Sequence, residues 1–140
     1  GESDRGVTVG KRAVDFAVDG VNGGRFVLSE HRGEVVVVEF MTTWCGFCQS
    51  QLEVFKRLGE IEEVVIVSID VDVNMQPSAP EEWAAERGAS WFHGHDLGLG
   101  RTYEVSEVPT VIIVDKEGVI RYRGAYTPFD KLQRLIRQLQ

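Results

Sequence analysis

The chain has 140 residues, 43% of them hydrophobic and 26% charged, which fits one domain burying roughly two-thirds of its unfolded surface without cross-links. That composition excludes disorder as the main state, two cysteines exclude a disulfide framework, and four-residue aliphatic runs such as Val35-Val36-Val37-Val38 are too short to cross a bilayer. The net charge of −7, from 15 basic and 22 acidic residues, excludes a general affinity for nucleic acid or anionic membrane, both of which reward basic surfaces.

Residues 1–11 read as a flexible tail on a single domain filling 1–140. The start, Gly1-Glu2-Ser3-Asp4, lacks the charged, apolar and small-residue regions of a signal peptide, as a processed or trimmed chain would. Residues 12–33 suggest a hairpin around Phe16 to Val18 and Phe26 to Leu28, joined through Gly20 to Gly24. Residues 34–41, 64–69 and 110–114 are aliphatic almost throughout, the pattern of strands covered on both faces. Between the first two, Leu52, Phe55 and Leu58, with Val54, form one face of a helix over 49–58. Strand, helix and strand make a right-handed βαβ unit. Residues 71–107 read as an irregular insertion, broken by Pro77 and Pro80, with helical stretches at 81–87 and 97–103. The third run, a turn at Asp115-Lys116-Glu117-Gly118 and residues 119–123 predict an antiparallel hairpin. A last helix follows, capped by Thr127 with Pro128 at its first position and Asp130 completing the cap. Leu132, Leu135, Ile136 and Leu139 form its apolar stripe, with Lys131, Arg134 and Arg137 on its solvated side. The fold class is α/β, a central mixed sheet flanked by helices.

The chemistry is concentrated in Trp44-Cys45-Gly46-Phe47-Cys48, directly after the first buried strand and opening the first long helix. One helical turn brings two thiols at this spacing close enough to bond, and a helix N-terminus favours a thiolate on the first. Cys45 is expected to be exposed and to attack a partner's disulfide. Cys48, one turn in and more buried, resolves the mixed disulfide. A zinc site needs further ligands, which only His31, His93 and His95 could add. His93-Gly94-His95 has the alternation that sets two imidazoles on one side of a strand, but reads better as an exposed glycine-containing loop. A static disulfide closing so short a loop would stabilise little. Neither a metal nor a cofactor beyond the cysteine pair is expected.

Residues 39–48, Glu39-Phe40-Met41-Thr42-Thr43-Trp44-Cys45-Gly46-Phe47-Cys48, followed by Val108-Pro109-Thr110, resemble a thioredoxin-fold protein. The match is best with the TlpA/ResA-like, AhpC/TSA-redoxin-related branch of thiol-disulfide oxidoreductases. Arg32-Gly33-Glu34 resembles that branch's turn into the first buried strand. The longer middle segment and the closing hairpin match as well. The resemblance implies a thioredoxin-like fold of βαβ plus ββα, with a middle insertion and an N-terminal extension. It also implies that Pro109 is the family's cis-proline, re-aiming Val108 toward the cysteines to receive an incoming chain, where an ordinary trans proline would merely start an edge strand. Trp44 matches the aromatic residue that shields the disulfide, and a core tryptophan is the plainer alternative. Glu39 matches a buried acid that moves the proton of the second cysteine. Flanked by Val38 and Phe40, it should have a raised pKa, whereas a surface acid paired with a lysine would not. Phe47 stands where thioredoxin itself has proline, and Gln51 stands where ResA-like proteins carry an active-site glutamate.

The implied function is thiol–disulfide exchange with proteins through Cys45 and Cys48, expected in the reducing direction. Val108 and Pro109, with Trp44 and Phe47, receive the substrate. The partners are protein thiols and disulfides and an upstream electron donor, with a membrane contact only through an anchor preceding Gly1. A monomer acting outside the cytoplasm is expected, as for relatives that reduce apocytochrome c. A peroxiredoxin-type thiol peroxidase is one alternative, although no proline precedes Thr42 and Thr43. A non-catalytic binding module is the other.

Overall fold

A computed structural model describes residues 4–20 and 22–140. Its centre is a five-stranded mixed sheet of β5 (Val36–Met41), β6 (Val65–Asp70), β7 (Phe92–His95), β8 (Thr110–Val114) and β9 (Ile120–Gly124), in the order β7-β6-β5-β8-β9. β5, β6 and β7 run parallel, while β8 and β9 are antiparallel to their neighbours. Four short strands precede the sheet: β1 (Arg5–Gly6), β2 (Arg12–Ala13), β3 (Ala17–Asp19) and β4 (Arg25–Val27). The helices are α1 (Gly46–Ile61), α2 (Ala79–Glu86), α3 (Leu97–Thr102) and α4 (Phe129–Leu139).

Side chains alternate across a strand, and on β5 both alternations are buried. Val36, Val38 and Phe40 join the cluster formed with the β3–β4 hairpin, Leu99 and Tyr103. Val35 and Val37 face the other way, into a cluster with Phe55 and Leu58 of α1 and Leu132 and Ile136 of α4. The same alternation carries Glu39 to the α1 side, between Val37 and Met41.

The two central parallel strands, the closing hairpin and the β3–β4 hairpin form as their patterns predict. Residues 71–107 are more regular than their prolines suggest. α2 crosses from β6 to β7, so the stretch contributes a second βαβ unit and an edge strand. His93-Gly94-His95 is therefore a strand and not an exposed loop. Gly94 is required there, because a Cβ would lie 2.7 Å from Val18 Cγ1 of the covering hairpin. The N-terminal stretch, expected to be a flexible tail, is tied down over its described part. β1 pairs with β2, Gly10 N–H donates to the Ile120 carbonyl, and Arg123 donates to that of Val7.

Thr127 does not cap α4. Its hydroxyl donates to the Ala125 carbonyl at 2.8 Å and lies 3.0 Å from the Tyr122 hydroxyl, and Pro128 takes the cap position. The backbone of Thr127 is clamped by Gln51, which is fully buried. The Thr127 N–H donates to Gln51 Oε1 at 2.7 Å and Gln51 Nε2 donates to the Thr127 carbonyl at 3.0 Å. This pair joins α1 to the start of α4. Gln51→Ala should orphan two buried backbone groups and lower the unfolding free energy by about 2–4 kcal/mol, read from urea titration.

Candidate active site

β5 ends at Met41, and the chain turns through Thr42 to Trp44 into α1, whose N-cap is Cys45. Cys45 Sγ accepts the Cys48 N–H at 3.2 Å, and both thiols are free. The sulfur thus occupies the position where a side-chain oxygen usually satisfies a first-turn N–H. From the far side, the Cys45 thiol donates to the Val108 carbonyl at 3.5 Å, and the Val108–Pro109 peptide bond is cis. Cys45 is less exposed than its place at a helix start suggests, at 8% against 1% for Cys48. The Val108 segment and a cluster of Met41, Leu52 and Trp83 enclose the pair.

Trp44 is not a core residue. It is 68% exposed, with its indole N–H donating to Asp72 Oδ2 at 2.7 Å. Phe47 is 67% exposed, and its ring centre lies 6.1 Å from that of Tyr126. Two large aromatic side chains thus flank a nearly covered sulfur. Val108 is partly buried and Pro109 buried.

Behind Cys48 lies Glu39, almost fully buried. Its Oε1 accepts the Ser68 hydroxyl at 2.7 Å, and Oε2 has no hydrogen-bond partner among the described residues. Among the described residues no lysine pairs with it, as the reading of a surface acid would require. Burial pushes its carboxyl up to about 8, against the Ser68 hydrogen bond, which holds it down. Burial and then the Cys45 sulfur push the Cys48 thiol upward, and the Glu39 charge adds to this. The Thr42 backbone N–H acts in the opposite direction.

The histidines stand apart from the sulfurs. His31 stacks on Phe26 and bonds Glu34. His95 Nε2 meets the Asp72 carbonyl at 2.8 Å. His93 Nδ1 meets the Trp91 carbonyl, and burial pushes its pKa down to about 4. Among the described residues no group of three or more His, Cys, Asp or Glu is placed to hold a metal ion.

Sequence reasoning missed Ser68, Trp91, Asp72 and Tyr126. Only Ser68 left a signal, as a polar residue between the buried aliphatics Val67 and Ile69. The other three are brought to the site by the crossover through α2 and the turn before α4.

A pair of cysteines at the N-terminus of a helix, an apolar rim and a buried acid define a thioredoxin-fold dithiol protein. The sequence profile of the AhpC/TSA family matches residues 9–123. Two relatives are the thiol-disulfide oxidoreductases ResA of Geobacillus kaustophilus (strain HTA426) and Geobacillus thermodenitrificans (strain NG80-2). Both are 30% identical, over 82% and 92% of this chain and 68% and 77% of theirs. A structure from Chlorobium tepidum, described as a candidate thiol:disulfide interchange protein DsbE, superposes with a TM-score of 0.81 at 24% identity. It covers 96% of this chain and 99% of its own. The chain belongs to the AhpC/TSA family, as a TlpA/ResA-like thiol-disulfide oxidoreductase.

Burial of Glu39 has a consequence for stability. The carboxyl takes up its proton at about 8 in the folded chain and near 4.5 when free of it. Between those values the folded state binds more protons, so stability falls as pH rises through the window. Glu39→Gln should match the parent near pH 4. It should then gain on the parent with rising pH, to about 4–5 kcal/mol by pH 8, in denaturant titrations at each pH.

Proposed function

We propose that Cys45 is the attacking thiol, Cys48 the resolving thiol and Glu39 the group that takes the Cys48 proton, in an enzyme that reduces disulfides of other proteins. The observation that carries this reading is the order sulfur, sulfur, carboxyl, running inward from an aromatic-rimmed surface. The Cys45 thiolate attacks one sulfur of the partner disulfide, expelling the other as thiolate and leaving a mixed disulfide. Glu39 as carboxylate accepts the Cys48 proton. The Cys48 thiolate then attacks Cys45 Sγ, forming the Cys45–Cys48 bond and releasing the partner's second thiolate. The partner gains two electrons and the enzyme loses two. An upstream thiol donor restores the pair, and no other cofactor takes part.

The reducing direction is inferred from the resemblance to the ResA-like branch. The rim supports an extended protein segment as substrate, with Trp44 and Phe47 against its side chains and Val108-Pro109 alongside its backbone. Both sulfurs, the acid and the rim come from one chain, which supports action as a monomer. No helix among the described residues is long and apolar enough to cross a membrane. We place the domain outside the cytoplasm, on the resemblance to the ResA-like branch.

Cys48→Ser should accumulate a mixed disulfide with a protein substrate, seen as a mass adduct, while Cys45→Ser forms none. Glu39→Gln should slow release of the second thiol by about 100-fold near neutral pH while leaving the first attack intact. The pair's potential should fall nearer thioredoxin's, about −270 mV, than DsbA's, about −120 mV. Peroxide turnover that persists in Cys48→Ser would establish a peroxidase instead.

A further inference from the structure

Register places Glu39 of β5, Ser68 of β6 and His93 of β7 side by side across three parallel strands. Ser68 Oγ lies 2.7 Å from Glu39 Oε1 and 2.9 Å from Trp91 Nε1. An indole N–H can only donate, and a serine hydroxyl carries one hydrogen. Trp91 therefore holds Ser68 Oγ as an acceptor, and the hydroxyl hydrogen has Glu39 Oε1 as its one acceptor among the described residues. A neutral acid donating from Oε1 to Ser68 instead would leave that hydrogen buried without a partner. Oε1 thus stays an acceptor, and the proton of the neutral acid belongs on Oε2, the oxygen with no partner among the described residues.

We propose that Ser68, oriented by Trp91, is a positioning residue for proton exchange between Cys48 and Glu39, leaving Oε2 as the single oxygen that takes the Cys48 proton. In the step the Cys48 S–H bond breaks and the Oε2–H bond forms, with no change in oxidation state. The inference rests on the reading of Glu39 as the proton acceptor and assigns a residue which that reading leaves out. The Ser68 hydrogen bond strengthens on the carboxylate, so it favours the charged form needed to accept a proton. The titratable groups around Glu39 are Cys48 and Cys45 from α1, His93 from β7 and Asp70 further along β6. α2 brings Trp83, with the Arg87 guanidinium 4.7 Å over its ring, and β8 brings Val111 opposite.

The test follows the Glu39 carboxyl by carbon NMR against pH in the reduced full chain, together with the single-turnover rate of the resolving step. In Ser68→Ala the Glu39 midpoint should rise by about one pH unit. At pH 7 the carboxylate fraction then falls from about one in ten to about one in a hundred, slowing resolution about tenfold. Ser68→Thr keeps the hydroxyl and should restore both values. Trp91→Phe keeps an aromatic ring but removes the N–H, which frees the hydroxyl to rotate, and should raise the midpoint by about half as much. A Ser68→Ala chain that loses stability but keeps the parent midpoint and rate would overturn the proposal, as would failure of Ser68→Thr to rescue. The underlying reading is tested separately by Glu39→Gln. A resolving rate with unchanged pH dependence in that variant removes the acid itself. A flattened profile there, with no shift in Ser68→Ala, removes Ser68 alone.

Discussion

A carboxyl group in the middle of a five-stranded sheet is the constraint around which this molecule is arranged. Ionising it there means taking charge out of water, which costs several kcal/mol unless partners replace the lost hydration. Among the described residues Glu39 receives one hydrogen bond, from Ser68, and its second oxygen has no partner. The result is an acid that holds its proton near neutrality yet can release it. Such a group burdens the fold and, under the proposed reaction, suits a thiol that loses its proton only after a mixed disulfide has formed.

The rest of the site answers the same need for contrast between two sulfurs three residues apart. Cys45 is the helix cap, with a backbone N–H on one side and the Val108 carbonyl on the other. Cys48 is sealed one turn deeper, beside an acid whose charge opposes its own ionisation. Under the proposed reaction the first sulfur meets the partner and the second is held in reserve. Exposed Trp44 and Phe47 place apolar surface beside the first sulfur. Trp44 is tethered by Asp72, from the loop after β6, so the rim is built by the same parallel strands that carry the acid and its serine.

Gln51 illustrates how a motif position can change its work. Three residues past Cys48, where ResA-like proteins are expected to have an acid, this chain uses an amide to clamp the backbone of Thr127. An amide offers both a donor and an acceptor, which the Thr127 carbonyl and N–H require together. A carboxylate could satisfy only the N–H. That clamp also explains why Thr127 does not cap α4: its backbone is held by Gln51 and its hydroxyl by Ala125 and Tyr122.

Much of the scaffold was legible before any coordinates. Aliphatic runs identify strands covered on both faces because only a covered strand can afford no polar side. The spacing of Cys45 and Cys48 after such a run identifies a dithiol on a helix start because one helical turn is what brings two thiols together. The aliphatic run on both sides of Glu39, in a strand covered on both faces, was enough to make it a buried acid. Contacts between segments far apart in sequence were not legible. The second βαβ unit was hidden by two prolines and a His-Gly-His strand whose glycine makes room for Val18. The near-burial of Cys45, the exposure of Trp44 and the Ser68–Trp91 support of Glu39 depend on which strand lies beside which, and at what register. The sequence alone therefore determined the two central parallel strands, the first helix, the closing hairpin, the cysteine pair and the buried acid, since each rests on local period or spacing. Only the tertiary structure decided what each sulfur and each carboxyl oxygen faces, because hydrogen-bond partners and burial are set by packing between distant segments.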